Sequence, residues 1–136
     1  MGISKRNSEG YADPTAFRAV CSVEREVRKH RQMVYICSPY SDDPVGNSEK
    51  ARRYCRYAVD RGKLPIAPHL YLPQFISERS ERELAMFMDM ILLSKCAELW
   101  VFGDRLTDGM KREIRKAKSR SMNIRYFTEE PGEVMK

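Results

Sequence analysis

The feature that most constrains this chain is a repeated switch between two hydrophobic periods. "MVYICS" (33–38) is a short apolar run rich in β-formers, and the "PYSDDPVG" after it holds two prolines and a glycine, the composition of a turn. "NSEKARRYCRYAVDRG" (47–62) then sets Ala51, Tyr54, Cys55, Ala58 and Val59 along one helical face, with Asn47 as a cap and Gly62 as a stop. "KLPIAPH" (63–69) reads as a brief strand whose prolines, Pro65 and Pro68, limit ladder bonding and so predict an edge. "SERE" (80–83) has the form of a capping box opening a helix through Leu84, Phe87, Met88, Ile91, Leu92 and Cys96. The strand "ELWVFG" (98–103), the helix "TDGMKREIRKAKS" (107–119) and the strand "NIRYFT" (123–128) complete the series. Such alternation predicts an α/β fold, a three-layer sandwich with a parallel, Rossmann- or flavodoxin-like sheet of about four to five strands and right-handed crossovers.

A length of 136 residues, 42% of them apolar, suits one core and is too short for two ordinary domains. The expected organisation is an N-terminal arm over 1–32, an α/β domain over 33–128 and a tail over 129–136, with disordered extremities at 1–10 and 129–136. Within the arm, Asp13 and Pro14 open a helix with Phe17, Val20, Cys21, Glu24 and Val27 on one side, a face that could pack on the core or on a second subunit. The formal charge of +6 is dispersed, with clusters at 25–31, 50–56 and 111–120 that read as solvated helix faces, so nucleic acid binding is the lesser reading. Cys21, Cys37, Cys55 and Cys96 show no metal-ligand spacing and fit reduced, buried thiols. With neither an apolar run of membrane-spanning length nor a signal-peptide core, the expectation is a soluble, cytoplasmic protein.

In open parallel sheets, ligands sit beyond the carboxyl ends of the strands, where helix N-termini point. The loops 38–47, 69–74 and 104–109 therefore frame the expected site. Two acids stand out against this frame. Glu113 falls three residues after Met110 and four before Ala117, on the inward stripe of its helix, although Lys111, Arg112, Arg115, Lys116 and Lys118 mark the solvent face. Asp89 is a lone carboxylate within the most apolar helix, "LAMFMDMILLSKC". Each could be a structural ion-pair partner, but two of them beside one crevice favour a site. Trp100 and Phe102 alternate along a strand as core residues.

The combination of "VYICSPY", an acid in the helix before the third strand and "TDGMKREIRKA" resembles the nucleoside 2-deoxyribosyltransferase superfamily, which includes the deoxynucleoside 5'-monophosphate N-glycosidases. The likeness runs from about Tyr11 to Phe127 and is nearest to small bacterial and phage proteins grouped with it. It implies that Glu113 is a nucleophile, Asp89 a substrate-positioning acid and Tyr35 a tyrosine that holds Glu113. Ser38, Pro39, Tyr40, His69, Thr107, Asp108 and Gly109 are the expected substrate contacts, His69 and the turn residues also having plain structural readings. The implied reaction, which requires no metal or cofactor, is cleavage of the N-glycosidic bond of a 2'-deoxynucleoside or its monophosphate, by hydrolysis or by transfer to a second base, in a homodimer or larger assembly. Thr107 stands where the transferases tend to carry Asp and the monophosphate hydrolases Ser.

The sequence departs from the family in two places. Arg115 puts a large cation where a small residue is usual, which predicts an altered or closed pocket, and "SPYSDDPVGN" lacks the basic residues of a phosphate turn. A nucleotide-sensing module without catalysis is the alternative, ahead of a nucleic-acid-binding or protein-interaction domain.

Overall fold

The computed structural model describes residues 30–131 and the backbone of residues 133 and 134. The helix expected from Asp13 onward lies outside them. Four strands, β1 (Met33–Cys37), β2 (Leu64–Ile66), β3 (Glu98–Phe102) and β4 (Asn123–Phe127), pair in parallel. The sheet order is β2-β1-β3-β4-β5, where β5 (Glu133–Val134) adds antiparallel to β4 inside the segment expected to be a disordered tail. Pro65 does sit on an edge strand, where its missing N–H breaks no ladder. Helices α1 (Pro44–Asp60), α2 (Arg82–Ser94) and α3 (Asp108–Ser119) fill the crossovers, with two short 3₁₀ turns, Pro68–Leu70 and Leu72–Gln74, between β2 and α2.

β1 and β3 are buried on both sides, so their successive side chains enter different cores. Val34, Ile36, Trp100, Phe102 and Phe127 pack with Tyr54 and Ala58 of α1. On the opposite face Tyr35, Cys37, Leu99 and Val101 pack with Leu93 of α2 and with Met110, Ile114 and Ala117 of α3. Helices therefore cover both faces of a parallel sheet, the three-layer arrangement that the alternation predicts.

Two helix starts differ from the expectation. Asp43, not Asn47, caps α1: Pro44 opens the helix with its φ preset, and Asp43 Oδ1 accepts from the Gly46 amide at 3.3 Å. Asn47 is buried instead, donating from Nδ2 to the Tyr40 carbonyl at 3.1 Å and to Asp42 Oδ1 at 2.7 Å, which pins the β1–α1 turn. The Ser80–Glu83 capping box does not form. Ser77 and Glu81 close a turn there, with the Ser77 amide donating to Glu81 Oε1 at 2.9 Å, and α2 begins at Arg82. α3 is capped by Thr107, whose Oγ1 accepts from the Met110 amide at 3.2 Å. At the far end of α1, Gly62 takes φ +79°, a left-handed conformation in which a side chain would be strained.

Candidate active site

Strands β1, β2 and β3 each end by handing the chain to a turn on the same side, and these turns border a cavity of about 320 Å³. Ser38, Tyr40, Ser41 and Asp42 come from the end of β1, His69 from the end of β2, and Thr107, Asp108, Gly109 and Met110 from the start of α3. Helices α2 and α3 supply the wall that carries Arg82, Asp89, Arg112 and Glu113. The volume lies at the small end of the range for small-molecule sites, roughly 300–1,000 Å³.

Glu113 occupies the second turn of α3 on the face that packs toward β1. The Tyr35 hydroxyl donates to Glu113 Oε2 at 2.8 Å, so the strand tyrosine reaches across the helix–sheet junction to fix one carboxylate oxygen. Burial raises the Glu113 pKa, pushing it up to about 7. Hydrogen bonding from Tyr35 and Cys37 and the Arg112 charge oppose that rise, while Asp89 adds to it. Near neutrality this acid is thus split between its two protonation states. The same burial, with two acids beside it, drives the Tyr35 hydroxyl well above its ordinary value and keeps it a donor.

Asp89 projects from α2 into the same cavity, and burial, helped by the charge of Glu78, raises its pKa to about 7. Its Oδ1 is buried without a hydrogen-bond partner among the described residues. A buried carboxyl oxygen left in this way costs about 1–3 kcal/mol, a cost that a bound ligand donating to it would remove. His69 is held neutral by burial, its pKa lowered to about 4, and its Nε2 lies 3.5 Å from Ser38 Oγ. The Tyr40 ring leans on it at 5.5 Å between centroids.

Of the residues expected at the site, Ser38, Tyr40, His69, Asp89, Thr107, Asp108, Gly109 and Glu113 line this one cavity, and Tyr35 stands behind it through Glu113. Pro39 does not; with Ser38, Lys50, Tyr54 and Arg105 it borders a separate cavity of about 240 Å³. Arg115 is exposed and absent from the lining, so the expected narrowing of the pocket does not arise. Arg112, assigned by periodicity to the solvent face, is instead partly buried against the cavity, with Nη1 3.2 Å from Met86 Sδ. Arg82, Met86 and Glu78 also line the cavity without having been singled out. The position of Met86 three residues before Asp89 was the available signal, since i and i+3 share a helical face. Among the described residues no group of three His, Cys, Asp or Glu side chains could hold a metal.

The α/β fold is shared with 2-deoxyribosyltransferases of solved structure. A 2-desoxiribosyltransferase from Leishmania mexicana superposes with a TM-score of 0.55 at 12% identity, over 71% of this chain and 64% of that one. This chain thus spans under two thirds of the Leishmania protein. A 2-deoxyribosyltransferase from the psychrotolerant bacterium Bacillus psychrosaccharolyticus gives a TM-score of 0.54 at 20% identity, over 76% of this chain and 77% of that one. At such identities the likeness establishes the fold. The chain belongs to the family described as a domain of unknown function, DUF7768, whose model matches residues 32–127. No curated protein sequence matches it.

Proposed function

We propose that this protein cleaves the N-glycosidic bond of 2'-deoxynucleosides or their 5'-monophosphates, as an N-glycosidase or a deoxyribosyltransferase, with Glu113 as nucleophile. The observation that carries the reading is the pairing of a Tyr35-held Glu113 with an unpartnered Asp89 in one cavity at the strand ends. Charged Glu113 attacks C1' as the sugar develops oxocarbenium character, forming an ester bond. The C1'–N bond breaks with its electron pair passing to the base. Asp89, protonated because burial raises its pKa, donates the proton that the departing base requires. Water, or a second base, then displaces Glu113 from C1' and returns a proton to Asp89, which restores both carboxyls to their starting states. Tyr35 positions the nucleophile, and Ser38, Tyr40 and His69 border the space left for base and sugar.

No helix among the described residues is long and apolar enough to cross a membrane, which accords with the cytoplasmic setting included in this proposal. Assembly into a homodimer or larger is also part of it: Leu84, Phe87 and Ile91 are exposed along the outer face of α2, which a second copy would cover. Light scattering at micromolar concentration tests the assembly, a mass near the 15.9 kDa of one chain rejecting it.

The decisive experiment incubates the protein with deoxynucleosides and their monophosphates and follows free base by chromatography. Release of base supports the reading. Tight binding of a deoxynucleotide with no base released moves the function to nucleotide sensing.

A further inference from the structure

The cavity holds two guanidinium groups for which its own acids provide no ion pair. Arg82 and Met86 are one turn apart on α2, so their side chains are neighbours, and the Arg112 guanidinium of α3 lies 3.2 Å from Met86 Sδ. Both cations therefore converge on one patch of the wall. Neither takes part in an ion pair among the described residues. A thioether is a poor acceptor, and to leave a partly buried guanidinium on one is unusual when carboxylates stand nearby. Of the cavity's carboxylates, Asp42 pairs with Arg105 and Glu113 accepts from Tyr35, while Glu78 and Asp108 are exposed and form no ion pair with either arginine. Asp89 holds its proton to about neutrality.

Two other places where an anion could dock in such a fold are closed. The α1 N-terminus is capped by Asp43 and preceded by Asp42. The α3 N-terminus has Thr107 on the Met110 amide and Asp108 in its first turn, so side chains and negative charge already occupy it. Arg82, at the α2 N-terminus, which has no side-chain cap, and Arg112 are the arginines of the cavity lining.

We infer that Arg82 and Arg112 form an anion subsite on the α2–α3 wall that selects a substrate bearing a phosphate monoester. Two planar forks approaching from different helices match the spread oxygens of a phosphate dianion better than a single lysine would. The inference rests on the proposed reaction in placing the sugar at Glu113, and it chooses the monophosphate over the free nucleoside.

The test measures dissociation constants by calorimetry for the four 2'-deoxynucleosides, their 5'-monophosphates, 2-deoxyribose 5-phosphate and inorganic phosphate. At least one monophosphate should bind tenfold or more tightly than its nucleoside. That ratio should fall roughly tenfold in Arg112→Gln and in Arg82→Gln and be partly restored by lysine at either position. Binding of deoxyribose 5-phosphate with the same arginine dependence ties the preference to the phosphate rather than the base. Equal affinity of the wild type for nucleoside and monophosphate overturns the inference, as does an unchanged ratio in both glutamine variants. Base release measured on the same samples separates the two claims. A phosphate preference with no release leaves the subsite standing and removes the glycosidase reading, whereas equal release from both substrate types does the reverse.

Discussion

The two faces of the sheet are built from alternate residues of the same strands and treat polar groups in opposite ways. On the α1 face Tyr54 stacks on Phe102 at 4.1 Å and Phe102 on Phe127 at 4.8 Å, with Tyr57 set edge-on against Phe127. The indole N–H of this layer is satisfied, since Trp100 Nε1 donates to Glu98 Oε1 at 2.8 Å. Arg125 lies over the Trp100 ring at 5.0 Å and within 3.9 Å of Glu98. On the α2–α3 face the same strands send Tyr35 and Cys37 toward two carboxyls, one held by a single tyrosine and one oxygen of the other unpartnered. Aromatic pairs are worth about 0.5–1.5 kcal/mol each beyond the area they bury, whereas an unpaired buried acid subtracts a comparable amount. One face is an aromatic stack, and the other combines its apolar core with an acid-lined cavity that costs stability.

Substitutions on each face should therefore move different observables. Glu113→Gln keeps shape and hydrogen bonding but removes the attacking charge, so base release should fall roughly a thousandfold or more with the melting temperature unchanged or raised. Unchanged release from the folded variant would reject the nucleophile. If Glu113 served instead as half of a structural ion pair, the same variant would lose about 3 kcal/mol of stability with no selective effect on turnover. On the opposite face Trp100→Ala should cost about 3–5 kcal/mol in urea denaturation while base release per folded molecule stays close to wild type. A selective loss of turnover in that variant would show that the two faces are not separable.

The next effect depends on pH. Asp89 and Glu113 both have folded-state pKa values near 7, above their ordinary values of 3.8 and 4.5. Between about pH 4 and 7 the folded protein thus binds more protons than the unfolded chain, and the stability each acid allows is complete at the acid end of that window. Stability should decline as pH rises toward 7, by on the order of 1 kcal/mol per unit for each acid, and level off above it. Asp89→Asn should flatten part of this slope and be the more stable protein at about pH 8. Identical slopes in the two proteins would show that Asp89 ionises freely in the fold. The smallest effect is that of Tyr35→Phe, which removes the 2.8 Å bond favouring charged Glu113. Base release should drop about tenfold and the acid limb of its pH profile should move up. A profile that stays in place would mean that the tyrosine merely fills space.

The strands and the inward stripe of α3 were legible because period and burial are local properties: Met110, Ile114 and Ala117 are buried as their spacing predicts. Glu113 could be found for the same reason, as a misfit within that stripe. Helix starts were less legible. Asn47 and Ser80 have the right side chains for caps, but the choice of cap was made by Pro44 in one case and by a Ser77–Glu81 turn in the other. Arg112 was misread because periodicity locates a helical face and not what stands opposite it, and the wall that buries Arg112 belongs to α2, 26 residues away. Ser38 borders both cavities, whereas Pro39, the next residue, borders only the smaller one, since the backbone turns at the end of β1.

Trp100 is the sole tryptophan of the chain and is entirely buried, its indole N–H on Glu98 and a guanidinium over its ring. That makes it a natural fluorophore for the α1 face, screened by the sheet from whatever enters the cavity on the other side. Its emission should follow unfolding and stay silent to occupancy, so a shift on adding ligand would be a signal of rearrangement carried through the sheet.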